Sequence, residues 1–263
     1  MRKAVVVIIV ILAATGASGQ VVATRSSAPQ QLIPAAGSVQ GIGGTFFRSD
    51  ITIINYRPAD QRIRLQWLPQ DGIGTAPTDI TISASSGIAS EDFVTNVMQR
   101  SGLGAILMTG IDFTGAPDPS AQLVATSRIW TNQTGSSGTV SQSLPSIATS
   151  DISSTNVVIL GARRDLRYRT NVGIVNLSSA TQTFQFAVLG SFGTEVHQVD
   201  VAAMSMVLLG VPGAASTTPL QIQVQNSGTP IPSTAFVAYA SSVDNTTGDA
   251  WTTLGFNRPG STP

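Results

Sequence analysis

Between Arg62 and Leu68 apolar and polar positions alternate: Ile63, Leu65 and Trp67 are separated by Arg64 and Gln66. A later segment repeats the rhythm, with Phe184, Phe186 and Val188 set between Thr183, Gln185 and Ala187. A period of two places one row on a core and the other on the opposite face of a β-strand. Further strands are predicted around QQLIPAA, TDITISA, GAILMTG and GTVSQSL, and then around NVVILGA, HQVDVAA and LQIQVQN. Clusters such as PQDGIG, TGAPDPS and NSGTPIP punctuate them as turns. Residues 89–98 predict the one helical turn, with Ser90 as its cap.

The two alternating segments belong to longer stretches that match each other. Residues 47–72 align without a gap on 168–193, with Arg48/Arg169, Ile53/Ile174, Asn55/Asn176, Ala59/Ala180, Gln61/Gln182, Leu68/Leu189 and Gly72/Gly193 identical. A second block follows in the same order: LVATSRIWTNQTG from Leu123 matches FVAYASSVDNTTG from Phe236. Ile63 aligns with Phe184, Leu65 with Phe186 and Trp67 with Val188, so phase is kept where identity is not. A buried sheet face demands this, because a slip of one residue turns the whole row outward. The chain therefore reads as all-β, two tandem antiparallel β-sandwiches of the immunoglobulin or fibronectin type, about seven strands each. The expected spans are 28–146 and 154–257, with the serine-rich residues 145–155 as linker. One merged barrel is the competing architecture.

The duplicated pattern, a glycine-threonine lead and then aromatic-Arg-[Ser/Thr]-[Asp/Asn]-aliphatic, occurs here as Gly44, Thr45, Phe47, Arg48, Ser49, Asp50 and Ile51, with Asn55 closing the strand. An Asn-x-Thr-Gly turn comes later, at Asn245, Thr247 and Gly248. In this the chain resembles a group of secreted bacterial tandem-repeat proteins. The resemblance implies a β-sandwich fold and export, and it brings no activity or catalytic residues. The second copy has GARRDLRY in place of the glycine-rich lead, so a role for those glycines is confined to the first.

Composition narrows the function. Arg2 and Lys3, the apolar run AVVVIIVILAA and the small residues TGASGQ have the form of a signal peptide over residues 1–19. That run is shorter than the roughly twenty residues a membrane span needs, so no stable membrane insertion is expected. Export to the periplasm, the cell surface or the medium follows. No cysteine is present, which removes disulfides and thiolate metal sites. Fourteen basic and fourteen acidic residues balance, leaving no electrostatic footprint for nucleic acid. Lys3 is the only lysine, so the exported part has none for covalent chemistry.

Catalytic signals are weak. His197 is the only histidine, is expected on the solvent face of a strand, and no G-x-S-x-G elbow accompanies it. The carboxylate pairs Glu91/Asp92, Asp112/Asp118 and Asp244/Asp249 fall in turns and read as solvated loop acids. Asp244, Asn245 and Asp249 offer oxygen ligands for calcium in one loop, against a plain hairpin turn that explains the shared Asn and Gly. The repeated Arg48 and Arg169 either anchor an anionic or glycan ligand or brace the strand, with Asp50 as the nearest acid on the same face as Arg48. Trp130 and Trp251, beside the Asn-x-Thr-Gly turns, and Tyr239, on the strand leading to one, are the sugar-stacking candidates. Asn132, Asn176 and Asn245 begin N-x-[Ser/Thr] sequons and read as strand-end and turn asparagines. The expected function is a secreted, non-catalytic structural or adhesive module with a protein or surface-glycan partner. A carbohydrate-binding module is the alternative.

Overall fold

The computed structural model describes residues 27–257 apart from 42–43, 71, 73–74, 134–136, 153–155 and 229–234; the expected signal peptide lies outside the described residues. Strands dominate. The first half contains β1 (Gln30–Gln40), β2 (Phe46–Asn55), β3 (Gln61–Pro69), β4 (Thr78–Ile82), β5 (Ser86–Ser90), β6 (Gly102–Ile111), β7 (Leu123–Asn132), β8 (Thr139–Pro145) and β9 (Ile147–Ala148). A single helical turn, α1 (Phe93–Asn96), follows β5. Its cap position is Asp92 rather than Ser90, which ends β5, and Asp92 makes no side-chain capping bond. The second half contains β10 (Asn156–Ala162), β11 (Tyr168–Asn176), β12 (Gln182–Gly190), β13 (Gly193–Val201), β14 (Ser205–Gly210), β15 (Leu220–Asn226), β16 (Phe236–Asp244), β17 (Ala250–Leu254) and β18 (Phe256–Asn257). The halves thus have nine strands each among the described residues, not seven.

All strand pairs within the sheets are antiparallel. In the first half β4-β3-β6-β1-β9 form one layer and β5-β2-β7-β8 the other, and the end of β1 crosses over to pair with β2. In the second half the layers are β13-β12-β15-β10-β18 and β14-β11-β16-β17. The strand order of one half is that of the other, position for position. β9 falls inside the expected linker: Ile147 and Ala148 pair with Leu32 and Gln31, because their backbone groups complete the layer edge beside β1.

Each half closes on its own core. Ile33, Ile51, Ile53, Ile63, Leu65, Trp67, Ile106, Met108 and Phe93 fill the first. Phe184, Phe186, Val188, Ile159, Ile174, Ile222, Val224 and Phe236 fill the second. Both alternating rows face inward, as their phase predicts. Fully burying a side chain of this size contributes about 1.5–3 kcal/mol.

A third cluster belongs to neither half alone. Leu32, Ala35, Leu68 and Ala105 from the β3-β6-β1 layer pack against Val175, Met206, Val237 and Tyr239 from the β14-β11-β16 layer. Polar contacts cross the same plane. Ser205 Oγ donates to the Pro69 carbonyl at 2.6 Å, and Gln142 Oε1 accepts from Ser241 Oγ and Thr252 Oγ1, each at 2.8 Å. β16 is consequently buried along its whole length, sending Phe236, Ala238 and Ala240 into its own core and Val237 and Tyr239 into the junction.

The two outward layers differ in character. On the β13-β12-β15 layer, Gln185 sits opposite both Gln198 and Gln225, and Gln225 Nε2 donates to Gln185 Oε1 at 2.8 Å. On the β2-β7 layer, Arg48 sits opposite Trp130 and Asp50 opposite Arg128.

Candidate functional site

The β2-β7 register decides which side chains meet. Ser49, Ile51 and Ile53 point inward from β2, so Phe46, Arg48 and Asp50 share the outer face. On β7, Ser127 and Ile129 are buried, which turns Arg128 and Trp130 outward. The Arg48 guanidinium lies over the Phe46 ring at 4.7 Å and over Trp130 at 5.5 Å, with Arg128 5.9 Å from the same indole. Cations stacked on rings in this way gain about 0.5–1 kcal/mol each at exposed sites.

Arg48 and Asp50 share a face as expected but do not pair. Asp50 Oδ2 lies 3.5 Å from Arg128, its cross-strand partner, while the acid nearest Arg48 is Asp92, 3.9 Å from Nε. The register explains the exchange, since residues two apart on one strand are farther from each other than direct cross-strand neighbours. Among the described residues the Arg48 side chain forms no hydrogen bond.

Beside Arg48 a cleft of about 320 Å³ opens between the Gly44–Phe46 lead into β2 and residues 131–133. Gly44 has φ +81°, a left-handed conformation that glycine adopts without strain. Thr131, which lines the cleft, is buried on the inward parity of β7, and among the described residues neither its hydroxyl nor the Trp130 Nε1–H has a partner. Phe46 and Thr131 were not legible as site residues from the repeated motif, which draws attention to Phe47. The parity of Phe46 with Arg48 was the available signal.

The corresponding place in the second half is filled from within. Arg169 donates through Nη1 to Asn245 Oδ1 at 2.7 Å, and Asp244 stands where the first half has Thr131. Arg169 therefore braces β11 to the turn that follows β16. Arg167 Nε donates to Asp244 Oδ2 at 2.8 Å, and the Asp244 Oδ1 accepts from the Thr246 and Thr247 N–H groups at 2.8 and 3.2 Å. The calcium candidates thus already have protein partners: Asp244 is taken by Arg167 and the turn, Asn245 by Arg169, and Asp249 accepts from the Ala250 N–H at 3.1 Å. Among the described residues no three acidic or histidine side chains converge on one point. Because the turn closes on arginine, addition of calcium or of a chelator is expected to leave the melting temperature unchanged. A calcium-induced rise of several degrees would show that a cation displaces Arg167.

The aromatic candidates separate. Trp251 lies opposite Ser242 and meets Tyr168 edge to face at 5.5 Å, away from the Phe46–Trp130 stack. Tyr239 is corrected as a surface residue: it is 1% exposed, lies in the junction between the halves, and burial pushes its phenol above the usual tyrosine range. His197 is also corrected. It is half-buried and stacks on Phe186 at 5.0 Å on the inward side of β13, because the less exposed positions of that edge strand fall on odd numbers.

Several loop acids serve as local braces. Asp79 is held below the usual carboxylate range by its hydrogen bonds from Arg64, Asp118 by the Ser120 hydroxyl and N–H with Arg57 nearby, and Asp244 by Arg167 and the turn N–H groups. Folded carboxyls titrating below their unfolded counterparts stabilise the chain above about pH 4 and lose that contribution as pH falls through the folded values. The melting temperature is expected to be flat from neutrality to about pH 5 and to fall steadily between about pH 4 and 2. A flat profile down to pH 2 would contradict this.

No family model and no curated protein matches the chain. Among solved structures, the crystal structure of Thermotoga maritima 1070 aligns at 18% identity and a TM-score of 0.34, covering 41% of this chain and 97% of that one.

Proposed function

We propose that the protein is an exported, non-catalytic interaction module built from a duplicated β-sandwich. It holds a partner at the cell surface or beyond it. One observation carries this reading. In the second half the outer face of the β14-β11-β16 layer is already a binding surface, occupied by the first half through Val237, Tyr239 and Met206. Among the described residues nothing packs as a second layer on the corresponding face of the first half, which carries Phe46, Arg48 and Trp130 in place of an apolar seam. Export rests on the residue pattern of the first nineteen positions and on the resemblance to secreted repeat proteins. Among the described residues no helix is long and apolar enough to cross a membrane.

A carbohydrate-binding module is the second reading, favoured by the cleft next to the Phe46–Arg48–Trp130 stack. The test is to purify the protein and screen it against envelope extracts and polysaccharides, with a mass measurement for self-association. Retention of a defined protein or glycan supports the module. A protein that captures nothing, or one that cleaves a polysaccharide, would reject it.

A further inference from the structure

We infer that the cleft at the β2-β7 end of the first half binds a carboxylate-bearing sugar residue, with Arg48 taking the carboxylate end-on. This rests on the interaction-module reading and names its ligand class. Arg48 supplies the first reason. Asp92 lies at its Nε edge, 3.9 Å away, while the terminal nitrogens have no partner among the described residues. A guanidinium edge of two parallel N–H donors matches a carboxylate bidentately.

The second half supplies an internal comparison. There the equivalent arginine, Arg169, has its oxygen acceptor in Asn245 at 2.7 Å. In the first half Asn132 occupies the aligned position, yet it forms no bond with Arg48, whose guanidinium is stacked between Phe46 and Trp130 instead. The acceptor that the duplicated arginine finds within its own chain in one half is left to come from outside in the other.

The rim of the cleft gives the third. Asn132 and Gln133 line it with amides that donate and accept, as vicinal sugar hydroxyls require, and Gln133 Nε2 also lies 3.5 Å from the Thr247 carbonyl. The rings already carry guanidinium groups, so the ligand meets charged donors before it meets a bare aromatic face. That favours an acidic sugar over a neutral one. About 320 Å³ is at the lower end of small-molecule sites.

The experiment titrates the purified protein with a tetragalacturonate, its methyl ester and a tetraglutamate, read by tryptophan emission and calorimetry. The free acid is expected to bind, with both other probes at least about tenfold weaker. Arg48→Ala is expected to weaken binding about 10- to 100-fold, the loss typical of hydrogen bonds to a charged group, with Arg48→Lys between the two. Arg169→Ala is expected to leave binding unchanged. No binding of the free acid, equal binding of the ester or of tetraglutamate, or equal loss in Arg169→Ala would each overturn the assignment. If an envelope partner is retained equally by the native protein and Arg48→Ala while tetragalacturonate is ignored, the module stands and this site falls.

Discussion

Replacing Asn55 or Asn176 by alanine is expected to destabilise the protein by about 3 kcal/mol and lower its melting temperature by roughly 10 °C. Each side chain is fully buried and does the same work at the same corner. Asn55 Nδ2 donates to the carbonyls of Ala59, Ile82 and Ser83, and its Oδ1 accepts from the Arg57 N–H. Asn176 Nδ2 donates to Ala180, Val201 and Ala202, and its Oδ1 accepts from the Ser178 N–H. One amide thereby ties the β2–β3 turn to the end of β4, and the other ties the β11–β12 turn to the end of β13. Alanine leaves carbonyls and an N–H unpaired where little water can reach them. Aspartate restores the acceptor but faces the carbonyls with further oxygen, so Asn55→Asp and Asn176→Asp are expected to be no better than alanine. Urea unfolding of the four variants provides the check. A loss below about 1 kcal/mol would mean that the corner is held by something else.

Tyr239→Ala is expected to cost about 3–5 kcal/mol, the range for truncating a large buried side chain, and to split a single unfolding transition into two. The ring fills the junction and lies against Gly173, its cross-strand partner, where a Cβ would overlap the ring. Among the described residues its hydroxyl has no partner. Tyr239→Phe is therefore expected to be neutral or slightly stabilising, which separates ring from hydroxyl. Calorimetry decides the matter: one sharp transition at nearly the native temperature in Tyr239→Ala would show that the shared cluster does not couple the halves.

Much of this was readable from residue order. The inward rows at Ile63, Leu65 and Trp67, and at Phe184, Phe186 and Val188, followed from their period of two, and the strand segments fell where the turn residues left room. The junction did not follow, although its trace was there. Aligned on one another, the outward positions Thr126, Arg128 and Trp130 of β7 become Tyr239, Ser241 and Val243 of β16. The loss of the Arg128 charge and the gain of a large ring at Tyr239 on the solvent side of a strand signal a covered face, and buried strands lose their alternation for that reason. The site was half legible. Arg48 and Trp130 stood out as a repeated arginine and a tryptophan near a turn. Their contact depends on cross-strand register, which periodicity along one strand does not fix, and the roles of Phe46 and Thr131 depend on the same pairing.

The joining of two halves through unlike layers has a consequence for assembly. A contact between different faces of equivalent units is head-to-tail, and such contacts propagate into fibres unless something ends them. Continuing the series would set the glutamine-covered β13-β12-β15 face of one molecule on the Arg48–Asp50–Arg128 face of the next, stripping water from three charges and a row of amides. Desolvation of these groups opposes growth at both ends, so the purified protein is expected to have the mass of a single chain.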